Sequence, residues 1–127
     1  MQKIINFTII GQPYVKKSNQ RTVWNGKRIV RIDTPRYRQW HASAVTQLMV
    51  LNKPIAPIKE PIILEIHFYL QTRQRVDLSN LYEGIQDVLV EMAVLEDDNY
   101  TIVAGHDGSR AHYDKENPRM EVTLWRI

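Results

Sequence analysis

The chain has no cysteine, so neither a disulfide framework nor a thiolate metal site is open to it, which fits a reducing compartment. It also lacks any apolar run of about 18 residues, the length a membrane-crossing helix needs. The N-terminus does not show the basic, apolar and small-residue succession of a secretion signal. These absences predict a soluble, cytoplasmic protein with no membrane partner. Acid is scarce at the start. Residues 1–52 carry nine Lys or Arg against one acid, Asp33, giving +8, whereas residues 53–127 carry eight against thirteen, giving −5. A basic arm joined to an acidic centre suits a nucleic acid, because the cations neutralise phosphates and the carboxylates hold a metal that acts on one of them.

At 127 residues and 43% hydrophobic content, the chain predicts one domain, 1–127, with its own core. Residues 3–10 alternate as a strand burying Ile5, Phe7 and Ile9, until Gly11 and Pro13 stop it. Residues 14–21, with Lys16 and Lys17, read as a basic surface loop suited to a phosphate backbone. Arg21 to Trp24 and Lys27 to Arg31 flank Asn25-Gly26, the pair best suited to a two-residue hairpin turn, and Arg21, Lys27, Arg28 and Arg31 face outward. Thr34 caps and Pro35 opens a helix with Tyr37, Trp40, Ala44 and Leu48 inward, ending at Asn52-Lys53-Pro54. Arg36 and Arg38 oppose its dipole, and His41 is assigned no catalytic role.

A proline-bearing loop leads to the cleanest strand, Ile62 to Leu70, read as the central one. Further strands are predicted at about Tyr100 to Gly105 and from Arg119 to Ile127, the latter with Met120, Val122 and Leu124 inward. His106 to Pro118 reads as a polar loop. The predicted fold class is α+β: a small mixed β-sheet of about five to six strands, including the basic hairpin, packed with two main helices.

The second helix runs through the stretch Asp77 to Asp98. Leu78, Leu81, Ile85, Val88, Leu89 and Met92 recur at helical intervals as a buried stripe, and Asn80, Glu83, Asp87 and Glu91 form an acidic face on the other side. The loop after Met92 folds Asp97 and Asp98 back beside it. Hard ions such as Mg²⁺ or Mn²⁺ take carboxylate oxygens, so Asp77, Asp98 and Asp97 are candidate ligands, with Glu83 or Asp87 supplying another. Carboxylates crowded in this way repel one another unless a cation relieves them. Read singly, Asp77 is also a helix cap and Asp97-Asp98 an acidic turn.

The run Arg75-Val76-Asp77-Leu78-Ser79-Asn80-Leu81, then Asp87-Val88-Leu89, then Leu95-Glu96-Asp97-Asp98-Asn99 resembles the signature of RusA-type Holliday junction resolvases. In that family an R/K-x-D-x-D-N-L stretch opens a helix, a D-x-L follows in it, and a D-D-x-x-hydrophobic segment comes after. Gly11-Gln12-Pro13 and the hairpin before the first helix are similar as well. The resemblance implies a homodimeric, Mg²⁺-dependent endodeoxyribonuclease, with Mn²⁺ as a substitute. It implies an enzyme often carried by prophages that resolves four-way DNA junctions by paired symmetric nicks in recombination and repair.

By the same resemblance, Asp77 and Asp98 match the family's first and distal aspartates, Asp97 is the acidic neighbour, and Asn80 and Asp87 also match. Two positions depart from it. Ser79 stands where a second metal-binding aspartate is usual, and Glu83 where a lysine is common. The hydroxyl of Ser79 is a weaker Mg²⁺ ligand, Glu83 one helical turn on returns a charge, and an arginine such as Arg73, Arg75 or Arg110 replaces the lysine. The expected catalytic set is therefore Asp77, Asp98, Glu83 and Asp87, and the metal set is Asp77, Asp98, Asp97, Glu83 and Ser79. DNA contacts are expected from Lys16, Lys17, Arg21, Lys27, Arg28, Arg73, Arg75, Asn80 and Arg110. The alternative is a branched-DNA-binding protein of the same fold that has lost cleavage.

Overall fold

Alternation along Ile62–Leu70 turns Ile62, Leu64, Ile66, Phe68 and Leu70 to one side, and all five are buried. This strand, β4, is the middle of the sheet. In the computed structural model, which describes residues 1–14, 20–51, 53–54 and 56–127, β1 spans Gln2–Ile10, β2 Gln20–Trp24, β3 Ile29–Asp33 and α1 Pro35–Met49. After β4 come α2 (Leu78–Glu91), β5 (Val103–Gly105), β6 (Arg110–Tyr113) and β7 (Arg119–Arg126). The expected α+β class, a mixed sheet with two main helices, is what the chain adopts.

β7 lies antiparallel between β1 and β4, with Val122 opposite both Phe7 and Ile66. The other edge of β4 is shared. β5 pairs with Ile62 and Ile63 at its start, and β6 with His67 to Leu70 at its end, both in parallel. A parallel neighbour requires a crossover. That crossover carries α2, so α2 starts where the chain leaves the end of β4.

Tyr37, Trp40, Ala44 and Leu48 of α1 and Leu81, Ile85, Val88 and Leu89 of α2 close the core over the sheet. Each such Leu or Ile side chain contributes about 1.5–3 kcal/mol by leaving water. Gly84 lets the helices approach: a Cβ there would lie 3.5 Å from both the Tyr37 hydroxyl and the Trp40 ring.

Several local expectations are corrected. Residues 106–118 are not all loop, because β6 forms there along the edge of β4. The strand expected from Tyr100 begins only at Val103, since the Asn99 carbonyl accepts the N–H groups of Ile102 and Val103 and turns the chain. The hairpin forms a separate two-stranded sheet rather than part of the main one. Its register pairs Trp24 with Ile29, leaving four residues, 25–28, in the turn. Asn25 Oδ1 draws that turn together by accepting the N–H groups of Lys27 and Arg28, at 3.0 and 2.9 Å. α1 ends at Met49, before the expected Asn52-Lys53-Pro54 stop, of which Asn52 lies outside the described residues. Leu78 and Ile5 are less covered than their periodicity suggested: Leu78 is exposed, and Ile5 follows a register shift in β1.

Candidate metal and nucleic-acid site

Asp77 is the N-cap of α2, with extended backbone, and its carbonyl accepts from Asn80 N at 3.1 Å and Leu81 N at 3.3 Å. Its side chain makes no capping hydrogen bond. An aspartate in this position usually accepts an N–H of the first turn. Here the exposed carboxylate stays at the positive end of the helix with no such duty. Ser79, two residues on, is also exposed. The segment from Gln71 to Val76 that delivers Asp77 is pinned at Arg73, whose guanidinium lies 4.1 Å over the Tyr113 ring at the end of β6. Arg75 is exposed.

Asp98 reaches α2 from the far side. Val94 and Leu95 are buried and anchor the preceding turn. Both carboxylate oxygens of Asp97 then brace the next one, Oδ1 accepting from Asp98 N at 2.7 Å and Oδ2 from Asn99 Nδ2 at 3.1 Å. Asp98 Oδ2 accepts from Gln86 Nε2 at 3.5 Å. Gln86 Oε1 in turn lies 2.6 Å from Nε2 of His106. The His106 ring stacks on Tyr82 with centroids 3.9 Å apart and planes within 8°, and Tyr82 meets Phe68 edge-on at 5.5 Å. Burial holds His106 below its ordinary pKa, so it is neutral with one ring proton. Placing that proton on Nε2 lets the Gln86 carbonyl accept it and turns the amide NH₂ toward Asp98.

Asp87 and Glu91 lie on a different flank of α2. They line a groove of about 420 Å³ against α1, with Asp33, Tyr37, Arg38 and His41. Glu91 Oε2 meets His41 Nε2 at 2.6 Å, a structural pairing for a histidine given no catalytic role. Burial first, then the carboxylates of Asp87, Asp33, Glu83 and Glu91, hold the Tyr37 phenol above its ordinary pKa. Successive residues of a helix are rotated by about 100°, which is why Gln86 carries Asp98 while Asp87 turns to α1. Of the acidic face expected opposite the core, Asp87 and Glu91 thus line the groove against α1, and Glu83 joins them in acting on the Tyr37 phenol. Glu83 is exposed, one turn beyond Ser79 and one turn before Asp87.

Among the described residues no group of three or more His, Cys, Asp or Glu side chains stands ready to hold a metal ion. Even so, Asp77, Asp98, Ser79 and Glu83 offer only oxygen, the donor type a hard dication takes. The Asp77 carboxylate is not spent on the helix.

Of the expected DNA contacts, Arg21 is exposed on β2, Lys27 and Arg28 are exposed in the hairpin turn, and Arg110 is exposed on β6. Asn80 is half-buried in the first turn of α2. Lys16 and Lys17 lie outside the described residues. Sequence reasoning missed Tyr82, Gln86 and His106. No local pattern points to them, because the contact joins a helix flank to a turn 20 residues away.

The family model described as Endodeoxyribonuclease RusA matches residues 11–125 of the chain. None of the curated proteins matches it.

Proposed function

Because the chain belongs to the RusA endodeoxyribonuclease family, we propose that it is a Mg²⁺-dependent nuclease that resolves four-way DNA junctions by paired symmetric nicks. The observation that carries the reading is the uncommitted carboxylate of Asp77 at the positive end of the helix whose flank holds Asp98. Asp77 and Asp98 would hold the ion, with the Ser79 hydroxyl and Glu83 completing the set. Asp97 serves its turn and Asp87 the helix groove. When bound, Mg²⁺ or Mn²⁺ supplies a Lewis acid for a phosphoryl oxygen and acidifies water.

The rest falls to the chain's own groups. Arg73 and Arg75, on the segment leading into the helix, draw a phosphate toward the first-turn N–H groups of α2. Their charge offsets what develops on the phosphoryl oxygens where the family's lysine is missing. Gln86 fixes the direction of the Asp98 carboxylate. Arg21, Lys27 and Arg28 of the hairpin, Asn80 and Arg110 add backbone contacts that position the duplex arms. Resolving a junction takes two matched cuts, and a two-fold dimer presents two equivalent sites. The setting would be recombination, repair or prophage DNA processing in the cytoplasm.

The test is cutting of a synthetic four-way junction in Mg²⁺. Asp77→Asn and Asp98→Asn should each lower the rate by at least about a hundredfold while junction binding persists. Cutting that survives in both variants overturns the site. Wild-type protein that binds the junction but cuts in neither Mg²⁺ nor Mn²⁺ is a branched-DNA-binding member of the family.

A further inference from the structure

A second cleft, of about 390 Å³, opens between α1, the end of β1 and the end of β4. Arg36, Gln39, Trp40 and Ser43 line it from α1 at the three- and four-residue spacing of one helical face, and Tyr14 and Gln71 line it from the other elements. Its volume lies within the range of small-molecule sites, about 300–1,000 Å³. Its chemistry is uneven in a telling way. Among the described residues no acid lines it, and Arg36 is the only charged side chain that does. The Arg36 guanidinium lies 5.2 Å over the Tyr14 ring.

Two of its lining side chains are unspent. Among the described residues the side-chain amides of Gln39 and Gln71 have no hydrogen-bond partner, and each offers a donor beside an acceptor. Gln12 is already committed: its Oε1 accepts from Gln71 N at 2.7 Å and its Nε2 donates to the Pro13 carbonyl at 3.1 Å. This bond ties the end of β4 to the loop after β1.

We propose that this cleft binds one unstacked nucleobase of the junction strand, its edge read by Gln39 and Gln71 and its phosphate met by Arg36. The inference rests on the nuclease reading and adds to it a site that selects sequence. Paired donor and acceptor groups of glutamine match the edge of a base, and tyrosine and arginine planes are the usual surfaces on which an unpaired base stacks. Gln71 directly follows β4 and precedes Asp77 by six residues, so one short segment of chain joins the cleft to the candidate metal site. Bases at a branch point are already partly unstacked, which lowers the cost of extrusion.

The experiment uses the full chain and four-way junctions carrying 2-aminopurine at successive crossover positions, without divalent metal so that no strand is cut. Junction binding is followed separately by gel shift. Wild-type protein should change the emission several-fold at one position. The Gln39→Leu/Gln71→Leu variant should abolish that change while binding the junction within about tenfold of wild type, since neither amide supports the fold, and in Mg²⁺ its cuts should spread over positions. Displacement of the signal by millimolar deoxynucleoside monophosphates, with the junction still bound, would show that the cleft takes the base itself. Junction binding with no emission change at any position, or an unchanged signal in the double variant, overturns the base site and leaves the nuclease reading standing. Absence of junction binding by wild type overturns both.

Discussion

An aspartate that caps a helix is ordinarily worth about 1 kcal/mol to it, through a bond that Asp77 does not make. Asp77→Asn should therefore change unfolding free energy by less than about 0.5 kcal/mol in urea denaturation, even where it removes cutting. A large loss of stability would show that the carboxylate serves the fold instead. Gln86 offers the complementary case. It is the only described side chain bonded to the Asp98 carboxylate, and it is steadied in turn by His106. Groups that orient a metal ligand typically govern ten- to hundredfold in affinity. With Asp98 as the proposed ligand, Gln86→Leu should accordingly weaken Mn²⁺ binding by about that factor in calorimetry, and Mn²⁺ binding equal to wild type would show that Gln86 does not orient a metal ligand. His106 carries a pH consequence. Its folded pKa lies below the ordinary 6.5 because of burial, so the unfolded chain takes up a proton that the folded chain resists. Its contribution is complete above about pH 6.5 and declines as pH falls from there toward the folded value. Denaturation midpoints should fall across that window, and the fall should shrink in His106→Gln.

The contact between α1 and α2 is narrow at Gly84, where an added Cβ would sit 3.5 Å from its nearest neighbours, an ordinary van der Waals distance. Alanine fits that space and is the better helix former by about 0.5–1 kcal/mol. Gly84→Ala should raise stability by about that amount, whereas Gly84→Leu should lower it, because the Tyr37 and Trp40 rings already fill what lies beyond. Thermal melts of the two variants distinguish this from a groove with spare room. The strand elements show where periodicity suffices. Ile62–Leu70 is nine residues of alternation and was readable as a strand. Arg110–Tyr113 is four residues with two aromatic or histidine side chains, too short for a period to emerge, and it becomes a strand only because the edge of β4 offers it partners.

Across the whole molecule the basic first part and acidic remainder make the proposed junction binding electrostatic in large measure. Junction affinity should fall steeply between about 50 and 200 mM salt, and each of Arg73→Gln and Arg75→Gln should reduce the log–log slope by about one if it meets a phosphate. A slope indifferent to both would remove that segment from the interface.

What the amino-acid sequence determined by itself was the local and the repetitive. It specified the alternation of β4 and β7, the stripe Leu81, Ile85, Val88 and Leu89, the Thr34-Pro35 helix start and the order of acidic motifs, because each is written within a few turns of chain. Tertiary structure decided what depends on two distant segments meeting. It set Asp87 and Glu91 of α2 against α1 and carried Gln86 to the turn at Asp98, since a rotation of about 100° per residue sends Gln86 and Asp87 to different neighbours. It also closed the Trp40 ring against Gly84 and left its buried N–H without a partner among the described residues, for a buried atom's surroundings exist only once the elements have closed around it.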